Sequence, residues 1–301
     1  GPGEPSLVTL KAKRLLDAFV VPRWRGRDVR SIKRRDVIEL LEEIMLSGRQ
    51  TTANRVRAHL SKFMNWCVER EILDTSPVAG VRPPARERAR DRVLSDDEVR
   101  WLWAACDTIG GPWGPMARTL LLTAQRLSEV AGMTEDELDD EIWRLPPERT
   151  KNKRGHDVPL SAPVRDMLAA LPRIDGSHYV FTTTGATPVS GFDKARKALA
   201  AEMERRASEE RGEPVQIPGW GFHDLRRTAA TGMARLGVPV RVTEAVLNHV
   251  SGTGGGLVAV YQRHTYAEEK RGALEAWATF VCDLVEGRKA DNVVQIGAGG
   301  R

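Results

Sequence analysis

The sequence predicts a mainly α protein in two helical parts, the second of which carries a small antiparallel sheet. Three observations lead there. Apolar residues recur at helical spacing through much of the 301-residue chain. The pattern is interrupted by Val81-Arg82-Pro83-Pro84 and a charged run, where two prolines end any helix and nothing offers an apolar face. One stretch, residues 141–160, has the alternation of a half-buried strand at Val158 and Leu160.

Residues 1–80 read as a helical domain. Val37, Leu40, Leu41 and Ile44 share one helical face, and Val56, Leu60, Phe63 and Cys67 share another, with Thr51 and Thr52 as caps for the second helix. Residues 81–92 read as a linker, and residues 93–286 as a second, mostly helical domain. It opens with Ser95 and Glu98 at capping-box spacing. A helix is expected from Met116 to about Gly132. Short strands are expected over 141–146 and 156–160, joined by the polar turn Lys151-Asn152-Lys153-Arg154-Gly155. Ser161-Ala162-Pro163 starts another helix with cap and proline in preferred places. Helices are expected over 191–210, 223–236, 240–248 and 267–285, the last striped by Leu274, Trp277 and Val281. The Gly-rich tail, 287–301, reads as loose or docked on a partner.

A chain of this length accommodates two domains, and 41% hydrophobic residues suffice for cores. The net charge of +5 favours a polyanionic partner. Cys67, Cys106 and Cys282 are far apart and read as reduced thiols. No apolar run approaches the ~20 residues of a membrane span, and the first ten residues do not read as a secretion signal, so a cytoplasmic protein is expected. Gly1-Pro2-Gly3 reads as a protease scar, with the native start missing.

Four segments carry chemistry: residues 123–129 around Arg126 and Glu129; the turn with Lys151 and Lys153; His223-Asp224-Leu225-Arg226; and Leu247-Asn248-His249, followed by Tyr261. Together they hold what metal-free cleavage of a phosphodiester requires. Two guanidinium groups match the non-bridging oxygens in charge and shape. A lysine or histidine can protonate the leaving oxygen. A hydroxyl nucleophile can form a covalent intermediate that retains the bond for rejoining.

The order Arg, Lys, His-x-x-Arg, His, Tyr over residues 123–266 resembles the catalytic set of tyrosine recombinases, the phage-type integrases. The helical part before the linker resembles that family's core-binding domain. Residues 261–271, YQRHTYAEEKR, leading to Leu274 and Trp277, are especially similar to integrases of phages and integrative elements. The family usually has glycine where this chain has Ala124. The resemblance implies a helical core-binding domain, a mostly helical catalytic domain with a small antiparallel sheet, and DNA strand breakage and rejoining through a 3′-phosphotyrosyl link. It assigns Arg126 and Arg226 as phosphate clamps and Glu129 as their buttress. Lys151 becomes the general acid, His223 the assistant in proton transfer, His249 a phosphate ligand and Tyr261 the nucleophile. It implies an attachment-site core in double-stranded DNA, a homotetramer on synapsed DNA, DNA-bending and directionality factors as partners, no cofactor, and nucleoid association when bound. The additional arm-binding domain of many integrases is not expected within these residues.

Each assignment has an ordinary rival. Arg126 and Glu129 read equally as an i, i+3 surface pair, although the apolar residues 120–122 before them favour a buried face. Lys151 is preferred for lying at a strand end, with Lys153 the alternative. His223 and His249 each read singly as helix-end residues. A metal site from His223, His249 and His264 lacks any HxxxH or carboxylate pairing, so none is expected. Of the three tyrosines, Tyr179 reads as core, and Tyr266 stands as alternative nucleophile. Residues 251–256 read as a glycine hinge, because no P-loop Lys-Ser/Thr follows them. The rival functions are a type IB topoisomerase-like relaxing enzyme and a non-catalytic DNA-binding regulator.

Overall fold

The computed structural model describes residues 7–86, 91–249 and 265–288. The chain divides into two compact units, one up to residue 90 and the other from residue 91.

The first unit is helical. α1 (Leu7–Leu15) runs through a wider π turn into α2 (Val21–Trp24), and α3 (Arg34–Leu46) and α4 (Gln50–Glu69) follow. The expected face of α3 is buried at Val37, Leu40, Leu41 and Ile44. It meets Ala53, Val56, Leu60 and Met64 of α4, with Trp24 and Ile32 completing the core. Phe63 departs from expectation. Met64 takes the buried place, while Phe63 is 43% exposed and stacks on Trp66 at 6.3 Å between centroids. Thr51 and Thr52 are not caps, because α4 already begins at Gln50. Beyond α4 the chain folds back along it. The Asn54 amide brackets Ala85, accepting from its N–H at 3.0 Å and donating to its carbonyl at 2.8 Å, and Arg57 donates to the Val81 carbonyl.

In the second unit, α5 (Asp96–Ile109) starts with the expected capping box of Ser95 and Glu98. Arg92, at the end of the charged run, pairs with Glu98. α6 (Trp113–Thr123) is buried on almost every side, with Met116, Ala117 and residues 119–123 all inside. The single helix expected over 116–132 is broken. Ala124 takes a left-handed conformation at φ 56°, closes α6, and α7 (Leu127–Ala131) starts in a new direction. A left-handed turn is natural for glycine and mildly strained for alanine.

The sheet is small and antiparallel in the order β1 (Leu138–Asp139), β2 (Ile142–Leu145), β3 (His156–Pro159), with Trp143 opposite Val158. β1 was not anticipated, because two residues carry no periodicity. Tyr179, expected in the core, is half-buried and bridges Thr134, while Val180 and Phe181 beside it are buried.

α8 (Ala162–Ala169) starts where expected, and α9 (Phe192–Arg211), α10 (Phe222–Arg235), α11 (Val240–Val246) and α12 (Ala267–Glu286) follow the expected spans within a few residues. α12 buries Leu274, Trp277 and Val281 as its stripe requires, and packs on α5, α6, α10, α11 and β3. Trp277 lies over Gly232 of α10 and donates its indole N–H to the Leu121 carbonyl at 2.8 Å. The fold is thus mainly α with a small antiparallel sheet, as the sequence predicts. Cys67 and Cys106 are buried and Cys282 half-buried, all as free thiols.

Candidate active site

The break between α6 and α7 builds one wall. Arg126 is the residue that opens α7, and Glu129 sits one turn later, 1% exposed. One carboxylate serves the residue twice: Glu129 accepts from the Arg126 backbone N–H at 3.0 Å and from its guanidinium at 2.8 Å. A buried, doubly bonded partner is not an ordinary surface pair, since an unpaired carboxylate there would be costly.

The facing wall is α10. Asp224 accepts from the Gly221 N–H at 2.8 Å, fixing the helix start, so His223 lies in the first turn and Arg226 one turn along. Arg226 is 3% exposed. Its guanidinium donates to the Ala124 carbonyl at 2.6 Å and to the Leu247 carbonyl, tying α10 to the α6–α7 break and to the end of α11. Burial, then the charge of Arg126, push its pKa down to about 10, opposed by Glu129. It therefore stays cationic at neutral pH.

His223 and His249 are exposed at the rim. Desolvation, then the charges of Arg227 and Arg226, hold His223 below the ordinary imidazole value. Desolvation, then Arg226 and Arg126, do the same for His249, and Lys151 adds to the effect. The bonds of Arg226 to the Ala124 and Leu247 carbonyls bring the segments of Arg126 and His249 to the helix that carries His223, and the bond from Asn152 to Asn248 brings the turn of Lys151 to the same place. Both histidines are biased toward the neutral form, able to accept or donate.

Lys151 is exposed in the turn itself, beyond a short 3-10 segment at Pro147–Arg149, and not at the strand end that the sequence suggested. Lys153, the alternative, has φ 58° and its ammonium reaches back to the Glu148 carbonyl at 3.4 Å. The Coulombic coupling to His249 belongs to Lys151. Tyr261 lies outside the described residues, as do His264 and the expected hinge at 251–256. Tyr266 is half-buried, left-handed at φ 51°, directly precedes α12, and lines the same cleft as His249.

Several participants were missed from sequence. His156 is 6% exposed, and its Nε2 lies 3.1 Å from the Val246 carbonyl. Burial, then the charge of Lys270, push its pKa down to about 4, so the neutral ring donates that bond. Gln125, 1% exposed, donates to the same carbonyl at 2.9 Å. Lys270 is 6% exposed and donates to the Asp157 carbonyl at 2.6 Å. The available signal was strand alternation, which turns His156 inward with Val158. Among the described residues, no three His, Cys, Asp or Glu side chains group as metal ligands.

Residues 92–268 match the phage integrase family, and residues 9–83 match the phage integrase central domain. Tyrosine recombinase XerC of Mycobacterium bovis (strain BCG / Pasteur 1173P2) is 28% identical over 213 residues, covering 68% of this chain and 70% of that protein. Among solved structures, a lambda integrase dimer bound to a COC′ core site superposes with a TM-score of 0.63 at 18% identity, over 84% of this chain and 92% of the other. A lambda integrase tetramer bound to a Holliday junction gives 0.63 at 17% identity, over 86% and 76%. The chain belongs to the phage integrase family and is a tyrosine-type site-specific recombinase.

Proposed function

We propose that this recombinase cleaves and rejoins double-stranded DNA at an attachment-site core, through a 3′-phosphotyrosyl intermediate, to integrate or excise a mobile element. The observation that carries this reading is the paired guanidinium groups of Arg126 and Arg226. The buried carboxylate of Glu129 and two carbonyls hold them, with Lys151 nearby. Glu129 offsets only one of the charges of Arg126, Arg226 and Lys151, which suits them to a phosphodiester.

In this reading Arg126 and Arg226 take the non-bridging oxygens, where negative charge grows in the transition state. Tyr261 Oη attacks phosphorus and gives its proton to the neutral imidazole of His223, and the 5′ oxygen leaves with a proton from Lys151. His249 donates to a phosphate oxygen. One phosphoester replaces another, so the 5′ hydroxyl of a second strand can attack the phosphotyrosine and expel the tyrosine. No step calls for a metal or cofactor. Tyr266 is the reserve nucleophile and Lys153 the reserve acid.

Residues 1–80 are proposed as the core-binding domain, 81–92 as the linker, 93–286 as the catalytic domain and 287–301 as a flexible or trans-docking tail. The lambda integrase tetramer on a Holliday junction supports a homotetramer on synapsed DNA as the working form. DNA-bending and directionality factors are proposed accessory partners, and the cytoplasm, at the nucleoid, the place of action. Among the described residues no helix is long and apolar enough to cross a membrane.

The test is recombination between two core sites on one supercoiled plasmid, with chelator present. Site-dependent deletion or inversion is expected. Relaxation without regard to site would point instead to a topoisomerase, and binding without any strand exchange to a regulator.

A further inference from the structure

The turn that carries Lys151 is exposed, and most of its bonds tie it to itself. Thr150 Oγ1 donates to the Arg154 carbonyl at 2.8 Å, and the Lys153 N–H donates to the Thr150 carbonyl at 3.3 Å. Asn152 reaches further. Its amide donates to Asn248 Oδ1 at 2.7 Å and to the Asn248 carbonyl at 3.2 Å, and Asn248 Nδ2 returns a bond to Asn152 Oδ1 at 3.4 Å.

Asn248 makes a firm post. It sits at φ 46°, a left-handed conformation that asparagine tolerates better than most residues. The carbonyls just before it are held from three directions: Val246 by Gln125 and His156, and Leu247 by Arg226. His249 comes next in the chain. On the other side, Asn152 Oδ1 also accepts from the Arg154 N–H at 3.2 Å, which stiffens the turn from within. The paired amides therefore join the lysine-bearing turn to the segment that carries His249, which both arginines influence.

We propose that Asn152 and Asn248 are positioning residues: their paired amides latch the hairpin turn to the end of α11 and hold Lys151 at the leaving-group side of the scissile phosphate. This rests on reading Lys151 as the general acid. A long lysine side chain on an exposed turn has many conformations, and proton transfer needs the ammonium within hydrogen-bond reach of the leaving oxygen. The latch removes the motion of the turn and leaves only that of the side chain.

The test compares single-turnover cleavage of two duplexes that share a core site, selected for covalent capture from a random-sequence pool. One has the native phosphodiester. The other has sulfur in place of the bridging 5′ oxygen, a leaving group that departs without a proton. Asn152→Ala is expected to slow native cleavage by about ten- to a hundredfold and to cut the sulfur duplex at the wild-type rate. Lys151→Ala is expected to show the same pattern, and the double variant to be no slower than Lys151→Ala. Asn152→Asp keeps the acceptor that Arg154 uses but loses the donor, so it should share the defect while keeping the wild-type melting temperature. If Lys151→Ala is rescued by sulfur and Asn152→Ala is not, the latch is wrong and the acid stands. If sulfur fails to rescue Lys151→Ala, the acid role falls and the latch falls with it.

Discussion

Arg226 is used for its shape as much as its charge. Its planar fork bridges two carbonyls from different segments, Ala124 and Leu247, while the cation remains beside Arg126. A lysine in its place keeps the charge but bridges one carbonyl at best. Arg226→Lys is expected to lower cleavage by about a hundredfold or more. It should also destabilise the fold by about 1–3 kcal/mol, from one buried carbonyl left unpaired. Single-turnover cleavage and urea unfolding measure the two effects. His156 makes a pH-dependent contribution of its own. The unfolded chain takes up its proton near 6.5 and the folded chain only near 4. Between those values unfolding gains a proton, so stability falls as pH drops, by up to roughly 1.4 kcal/mol per unit. His156→Gln, unfolded in urea at about pH 7 and about pH 5, should lose less stability on acidification than the wild-type chain. At this scale the order of the charged residues singles out Arg126, Arg226, His223 and His249 as candidates, and the fold brings their segments together. His156 and Gln125 are not legible in the sequence, because a lone inward-facing polar residue has the same local pattern whether it braces a site or fills a core.

The elements were legible where periodicity is long. The helices from α9 onward fall within a few residues of expectation, because α9, α10 and α12 each carry several turns of apolar stripe. Legibility failed where one residue decides. Ala124 breaks the helix through a left-handed φ that alanine does not advertise, and β1 is too short to alternate. On α4, Phe63 and Met64 are neighbours, so helical spacing alone left their roles exchanged. The seam between α10 and α12 is tightly packed. A Cβ on Gly232 would meet the Trp277 ring at 2.1 Å, a contact that forces the indole or one helix to move. Gly232→Ala is expected to destabilise the protein by about 1–3 kcal/mol, seen as a lower denaturation midpoint. It should also slow cleavage, since α10 carries Arg226 and the segment after Tyr261 leads into α12.

For the whole molecule, the second unit, helices and small sheet together, brings residues far apart in the chain to one recess. Arg126, Lys151, His223, Arg226 and His249 come from four separate segments, and their mutual electrostatic influence is what the fold adds to their order in the sequence. Tyr261 is proposed to deliver its hydroxyl to a phosphate held there. Covalent capture tests it most directly: the chain is mixed in chelator with a nicked duplex carrying its core site, resolved on a denaturing gel and mapped by peptide analysis. A protein–DNA adduct on Tyr261 that Tyr261→Phe abolishes is expected. An adduct on Tyr266 that persists in Tyr261→Phe, or no adduct despite tight site-specific binding, would contradict it.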